Sequence, residues 1–153
     1  MLDRRAFLVS AAVAAPALLP ETAAAEQTGC AVETFTANAA LLDRYVAAVN
    51  AGDGAALQAL LTKPYVQHGG LKGAREAFPD LRVNVEDRIL AGDKIVARNT
   101  WSGTHRGAFL GIAPTGKPIT IRTIDIWRVQ DGKLIEHWDV IDIGALEKQL
   151  REN

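Results

Sequence analysis

The sequence has a single cysteine, Cys30, so the chain cannot form an intramolecular disulfide bond. It has no excess of charge of either sign, since 17 Lys and Arg stand against 18 Asp and Glu and the formal net charge is −1. A chain without a surplus of Lys and Arg offers no basic face to nucleic acid or to an anionic membrane surface. Its three histidines lack the short ligand spacings HxH and HExxH. These shortages argue against a disulfide scaffold, a nucleic-acid-binding protein and a metal centre built on local spacing.

The N-terminal 25 residues are not typical of a folded domain. Arg4 and Arg5 precede an apolar, Ala-rich run that continues to Leu19, and small residues then offer a cleavage site at Ala25. This pattern resembles a twin-arginine export signal. The run is shorter than the roughly 20 residues that span a bilayer, so we expect no stable membrane insertion after cleavage. The sequence predicts an exported, periplasmic protein with a signal peptide at 1–25, a linker at 26–33 and one domain at 34–153.

Helical periodicity characterises the first part of that domain. Apolar residues recur at helical spacing after Thr34 or Thr36, either of which can cap a helix that runs to about Ala51. Asp53 can cap a second, shorter helix that ends at about Leu61, before the next proline. Together the two helices predict a hairpin with one apolar face.

Beyond Pro79 the apolar period changes to two, which is typical of strands with one buried face. The first strand is expected to bury Leu81, Val83, Val85 and Ile89. Further strands are predicted at Lys94 to Thr104, Ile119 to Val129 and Lys133 to Ile141, with a last helix capped by Asp142. Helices followed by antiparallel strands predict an α+β domain, in which a curved sheet wrapped by the helices encloses a pocket.

The turn of the last hairpin decides which side chains share a face, because a slip of one residue sends a whole strand to the opposite surface. A two-residue Asp-Gly turn would pair Asp125 with Trp138. A three-residue loop at Gln130 to Gly132, with the glycine as a bulge, would pair Asp125 with His137. We predict the three-residue loop because it gathers polar residues on one face. That face would carry Thr123, Asp125, Trp127, Ile135, His137 and Asp139.

Short motifs recur through the chain after residue 40. They are Phe78-Pro79-Asp80, Gly92-Asp93, Gly103-Thr104-His105, Gly107, Gly111, Pro114-Thr115-Gly116, Asp125, Arg128, Asp131-Gly132-Lys133, His137-Trp138-Asp139 and Gln149-Leu150. This set resembles the SnoaL-like polyketide cyclase and ester cyclase family. The resemblance implies the cone-shaped fold of the nuclear transport factor 2 group, with a central pocket and with pairing through the sheet as a possible homodimer.

The resemblance also implies a mechanism. In the characterised cyclases, one aspartate in the last strand acts as general acid and base in an intramolecular aldol ring closure, without metal or cofactor. Asp139 occupies that place here, whereas Asp125 stands where the family carries an assisting histidine. Residues 69–79 form a shorter segment than the helix that relatives carry over the pocket mouth.

The candidate catalytic residues each have a structural alternative. An acid on a concave, partly apolar surface has its charged form disfavoured, which suits Asp139 to proton transfer, although it could simply accept hydrogen bonds. Asp125 could keep a proton available or could form a salt bridge to an arginine. His105 and His137 could orient the acids or satisfy buried polar groups. The expected substrate-binding residues are Tyr45, His68, Asn99, Trp101, Thr123 and Trp127.

Two functions stay open from the sequence. The first is a cofactor-independent cyclase, lyase or isomerase acting on a carbonyl compound, polyketide-like or ester in kind. The second is a non-catalytic periplasmic binding module for a small apolar ligand. Imidazoles and carboxylates together also suit zinc or iron, but without a short ligand spacing we predict no metal and no cofactor.

Overall fold

The computed structural model describes residues 21–69 and 73–152, with side chains from residue 32 onward. The paired arginines and the apolar run of the predicted export signal therefore lie outside the described residues. Of the helices that are described, none is both long and apolar enough to cross a membrane.

The described chain contains four helices and five strands, and the last four strands follow one another directly. The helices are α1 (Glu21–Ala51), α2 (Gly54–Leu60), α3 (Ala74–Ala77) and α4 (Ile143–Arg151). The strands are β1 (Leu61–Gln67), β2 (Arg82–Ala91), β3 (Lys94–Thr104), β4 (Pro118–Gln130) and β5 (Lys133–Ile141).

The strands form one sheet in the order β1-β5-β4-β3-β2. Neighbours from β2 to β5 pair antiparallel, whereas β1 runs parallel to β5. Helix α1 packs against β2 and β3, and α4 packs against β4. This is the predicted α+β class, with one parallel strand at the edge of the sheet.

Two apolar clusters cover the inner face of the sheet. The first contains Leu41, Leu42, Leu60, Ile95, Ala97, Trp127 and Leu134. The second contains Ala77, Phe78, Phe109, Ile119, Ile121, Leu146 and Leu150. On β4, Thr123 and Asp125 lie between the two clusters on the same face, because side chains two residues apart point the same way. The buried polar residues therefore occupy the middle of an apolar surface.

The turn between β4 and β5 has two residues, so the predicted three-residue loop is wrong. Gln130 pairs with Lys133, and the residues between them, Asp131 and Gly132, have φ angles of 51° and 70°. Both angles lie in the left-handed region that a type I′ turn requires, and an Asp-Gly pair tolerates that region well.

A β-bulge at Ile135 then changes the register of the hairpin. Beyond the bulge Asp125 pairs with Asp139, not with His137 as predicted and not with Trp138. The observed pairing differs from the predicted one by two residues, and the side-chain period is also two. The same polar residues therefore share the inner face, while Leu134, predicted on the outer face, joins the core.

Strand β2 contains a second bulge, at Glu86 between Val85 and Asp87. Because of the extra residue, each side chain that follows it in the strand points to the face opposite the predicted one. Ile89, predicted as buried, is 61% exposed, and Leu90 turns inward instead.

Two of the three predicted helix starts are confirmed. Asp53 and Asp142 each accept a hydrogen bond at 2.9 Å from the backbone N–H three residues further on, which caps α2 and α4. Helix α1 instead begins at Glu21, ahead of both Thr34 and Thr36. The Thr36 hydroxyl donates to the carbonyl oxygen four residues earlier, as a threonine inside a helix does.

Candidate active site

A cavity of about 180 Å³ lies against the inner face of the sheet. Its lining residues are Tyr45, Gln67, Ala74, Phe78, Leu81, Trp101, Ile119, Ile121, Thr123, Asp125, His137, Asp139, Ile141 and Leu146. None of these described residues is a lysine or an arginine. The cavity is therefore an apolar space with two carboxylates and one imidazole at one side.

Asp125 is held by three hydrogen-bond donors. Its Oδ2 accepts from Asn99 Nδ2 at 2.8 Å and from the Thr123 hydroxyl, and its Oδ1 lies 3.0 Å from His137 Nε2. The Trp101 indole N–H donates to the Thr123 oxygen at 3.1 Å, which leaves that hydroxyl hydrogen for Asp125. The three contacts occupy both oxygens of Asp125 and fix the orientation of its carboxyl group.

Aromatic packing fixes the imidazole that faces Asp125. The His137 ring stacks on Trp127 with the ring centroids 5.0 Å apart and the planes 10° from parallel. The Tyr45 ring packs against Trp127, with the two ring centroids 5.2 Å apart. Trp127 is 1% exposed, so it supports the site from the core and does not line the cavity.

Asp139 is the second carboxylate of the site and differs sharply from the first. It lies directly opposite Asp125 in the β4–β5 pairing and lines the cavity. Its Oδ1 is buried but has no hydrogen-bond partner among the described residues. A buried polar atom without a partner is costly, and such atoms concentrate where they serve chemistry. Asp139 is thus the carboxylate of the pair whose hydrogen-bonding capacity the described residues do not fill.

Tyr45 supplies a neutral hydroxyl near these acids. Burial raises the pKa of Tyr45, and the nearby Tyr65, Asp125 and Asp139 raise it further. Burial also raises the pKa of Tyr65, and the nearby Asp125 and Asp139 raise it further. Both hydroxyls therefore keep their protons well above neutral pH, and Tyr45 is the one that lines the cavity.

The structure does not bring His105 into the cavity. Its side chain is fully buried, and Nδ1 lies 3.1 Å from the Thr115 hydroxyl oxygen and accepts from the Thr115 N–H at 3.3 Å. The ring packs against Phe78 with the centroids 5.4 Å apart. His105 therefore stabilises the loop that joins β3 to β4. This is a structural role and not a role in the cavity.

His68 is also outside the cavity, at the end of β1. Its Nε2 lies 2.7 Å from Glu136 Oε1, and its ring stacks on Trp138 with the centroids 5.0 Å apart. The hydrogen bond to His68 lowers the pKa of Glu136, as does a further bond from Arg128. These contacts anchor the end of β1 to β5.

Most of the other predicted site residues come together. Asp125, Asp139, His137, Tyr45, Trp101 and Thr123 line the cavity, and Asn99 and Trp127 support it from behind. Gln67, Phe78 and the apolar wall formed by β4 and α4 also line the cavity, although none of them was predicted as part of the site. The alternation of Ile119 and Ile121 with exposed residues was a usable signal for that wall, whereas nothing local marks Gln67.

Among the described residues, no group of three His, Cys, Asp or Glu side chains is placed to hold a metal ion. The absence of a metal or cofactor in the working protein stays a prediction.

The chain matches the SnoaL-like polyketide cyclase family over residues 39–150, which is most of its length. It belongs to that family. The match spans both apolar clusters and every residue of the candidate site, so the SnoaL-like fold and the cavity are one unit. No curated protein sequence matches the chain.

Solved structures of similar proteins agree with this assignment. AclR, a proposed hydroxylase from Streptomyces galilaeus, is 29% identical, with a TM-score of 0.70 over 78% of this chain and 83% of AclR. TsrD from Streptomyces laurentii is 31% identical, with a TM-score of 0.68 over 77% of this chain and 97% of TsrD. IdmH, a proposed polyketide cyclase from Streptomyces antibioticus, is 27% identical, with a TM-score of 0.64 over 73% of this chain and 96% of IdmH.

Proposed function

We propose that this SnoaL-like protein is a cofactor-independent cyclase, lyase or isomerase that uses Asp139 as general acid and base on a small carbonyl compound. One observation carries the proposal, namely the unequal pair of carboxylates. Three donors engage Asp125, whereas Asp139, which lines the apolar cavity, has an oxygen with no partner among the described residues. Membership of the family supports the class of reaction.

In the proposed reaction, Asp139 removes a proton from the carbon next to the substrate carbonyl, and the C–H electron pair becomes an enolate. The enolate carbon then forms a bond to a second carbonyl carbon of the same molecule. The alkoxide that results takes the proton back from Asp139. The proton is returned and no electrons are gained or lost, so the step needs no oxidant or reductant.

Neighbouring side chains have supporting roles in this proposal. The Tyr45 hydroxyl stays protonated and lines the cavity, so it can donate to the enolate oxygen as negative charge develops there. His137 and Asn99 fix the carboxyl group of Asp125 across from Asp139.

The cavity limits the substrate by size and charge. Its volume of about 180 Å³ is below the range of about 300–1,000 Å³ found for drug-sized ligands, so we expect a compact molecule. The lining residues that the structure describes offer no Lys or Arg to a carboxylate or phosphate group. An uncharged ketone or ester is therefore the expected substrate.

The direct test is to identify what the cavity holds. The mature Asp139→Asn protein is purified, the small molecule released from it is identified by mass spectrometry, and that molecule is incubated with the unmutated protein in D₂O. The proposal predicts deuterium at the carbon next to the carbonyl, or a cyclised or isomerised product. A ligand that binds and stays unchanged in D₂O would instead favour the periplasmic binding module.

A further inference from the structure

The chain directly after β1 lies beside the catalytic strand. β1 runs parallel to β5 with Gln67 opposite His137, and the His68 N–H donates to the His137 carbonyl oxygen at 2.8 Å. The next residue, Gly69, consequently stands next to Asp139.

His68 fixes this segment through its side chain as well. The ring stacks on Trp138 with the planes 7° from parallel and lies 2.7 Å from Glu136, which Arg128 holds in turn through its Nε at 2.8 Å. Three kinds of contact therefore hold the backbone at Gly69 against β5.

Gly69 has no space for a side chain. A Cβ atom at this position would lie 1.7 Å from Asp139 Oδ1 and 2.9 Å from Asp139 Cγ. Its φ is not in the left-handed region, unlike those of Gly73 or Gly132, so the backbone conformation does not require glycine. What requires it is the carboxyl group of Asp139, and the oxygen that it meets is the one without a hydrogen-bond partner.

We propose that Gly69 is a positioning residue for Asp139. Its missing side chain leaves the slot that Oδ1 occupies, since a Cβ atom at Gly69 would lie 1.7 Å from that oxygen. The carboxyl group is thereby held in one orientation toward the cavity. The importance of this orientation for turnover rests on the proposed function, whereas the contact itself does not.

The obstacle to a side chain at Gly69 is the end of another side chain and not the backbone. In Gly69→Ala the Asp139 carboxyl can rotate away, so we expect the protein to fold with a displaced acid. Gly107 differs, because a Cβ there would lie 2.6 Å from the Glu76 carbonyl oxygen and 3.0 Å from the Ala77 Cα, both of which are backbone atoms. Gly54 is the neutral control, with nothing within 4 Å of an added Cβ.

These differences define the experiment. The mature protein is labelled with ¹³C at the aspartate carboxyl carbons, and NMR follows the Asp139 signal across a pH titration in the Gly69→Ala and Gly54→Ala variants. We expect the chemical shift and the titration curve of Asp139 to change in Gly69→Ala only. Thermal unfolding should show a large loss in Gly107→Ala and a small change in Gly69→Ala. Where a substrate has been identified, kcat should fall about a hundredfold in Gly69→Ala with little change in KM, since a misplaced reacting group costs that much.

The outcomes separate this inference from the proposed function. An Asp139 signal that moves in Gly69→Ala supports positioning even if Asp139→Asn leaves turnover intact, which would count against the proposed function alone. An unchanged Asp139 signal and titration curve in a folded Gly69→Ala protein overturns the inference. If Gly69→Ala fails to fold, the Gly69→Ala, Asp139→Ala double variant should recover folding, because the obstructing oxygen is gone. A double variant that also fails overturns the inference.

Discussion

Asp125 and Asp139 are the same residue type on the same face of one hairpin, yet their surroundings give them different chemistry. Asp125 has hydrogen-bond partners on β3, β4 and β5, and Asp139 Oδ1 receives no hydrogen bond from the described residues. That difference depends on Asn99 and Thr123, which reach Asp125 from β3 and β4. The sequence identified both acids as candidates, but their unequal hydrogen bonding follows only from the packed sheet.

At Asp125 the donors themselves can be tested. In Asp125→Asn one carboxylate oxygen becomes an N–H₂ group, which cannot accept a hydrogen bond. At least one of the three donors that now contact Asp125 therefore loses its acceptor. We expect the free energy of unfolding to fall by about 1–3 kcal/mol, the usual cost of a buried unsatisfied polar group. Urea unfolding followed by tryptophan fluorescence measures it. The same change at the exposed Asp87 is the control, and equal midpoints for the two variants would contradict the hydrogen-bonded arrangement.

Both tyrosines of the chain, Tyr45 and Tyr65, are predicted to ionise late. Burial raises the pKa of each above the ordinary value of about 10, because the tyrosinate anion loses its hydration. The folded protein should therefore show little tyrosinate absorbance at a pH where the unfolded chain has titrated. The pKa of each tyrosine is higher in the folded protein than in the unfolded chain. The tyrosines therefore leave the free energy of unfolding unchanged below a pH of about 10 and lower it as the pH rises further. Tyrosinate absorbance that rises near pH 10 while the protein is folded would refute this burial.

At the scale of elements, the β4–β5 hairpin separates what sequence can predict from what it cannot. The alternation of side chains along a strand correctly placed Asp125, His137 and Asp139 on one face, although the predicted pairing of β4 with β5 was wrong. The reason is that the two-residue turn and the bulge at Ile135 each moved the register by one residue from the predicted one, and a total shift of two preserves the face. No local pattern marked this bulge or the one at Glu86, because a bulge depends on how the strand curves against its neighbours.

The turn of that hairpin gives a direct test. Gly132 has a φ of 70°, which a residue with a Cβ adopts at a cost of about 1–2 kcal/mol. We expect Gly132→Ala to lower the free energy of unfolding by that amount, measured by urea denaturation. Gly54→Ala is the matched control, since both positions have space for the added methyl group but only Gly132 has a positive φ. Equal stability of the two variants would contradict the two-residue turn.

Contacts between distant elements were the least predictable part of the site. The stacking of His68 on Trp138 and the placement of Gly69 against Asp139 both depend on β1 pairing parallel with β5. The partner strand of β1 could not be read from the sequence, because no local pattern specifies a pairing between distant segments. In the same way, His105 was a candidate by residue type, and only the fold of the loop to Thr115 removed it from the cavity.

At the scale of the whole molecule, the helices and the sheet enclose a cavity whose polar groups lie at one side. The SnoaL-like fold buries two apolar clusters and leaves the cavity between α1, α4 and the sheet. The outer face of the sheet exposes apolar side chains, including Ile89 at 61% and Val140 at 74%. A homodimer through this face stays a prediction.

We propose that the protein is exported folded and then cleaved near Ala25, because Arg4 and Arg5 precede an apolar run at the N-terminus. N-terminal sequencing of the protein from a periplasmic fraction should begin at about residue 26. Lys-Lys in place of the two arginines should abolish export without a change in the mature domain. Full-length protein with an intact Met1, confined to the cytoplasm, would contradict the export prediction.

The central claim, that Asp139 transfers the proton, is tested most directly by turnover of the Asp139→Asn enzyme. Asparagine keeps the shape of the side chain but cannot accept a proton at neutral pH. We predict that kcat falls by a factor of about a hundred to ten thousand while substrate affinity changes little, because general acid and base catalysis contributes that much. Folding of the variant is checked first by its thermal unfolding transition. Near-normal kcat in a folded Asp139→Asn enzyme would contradict the account.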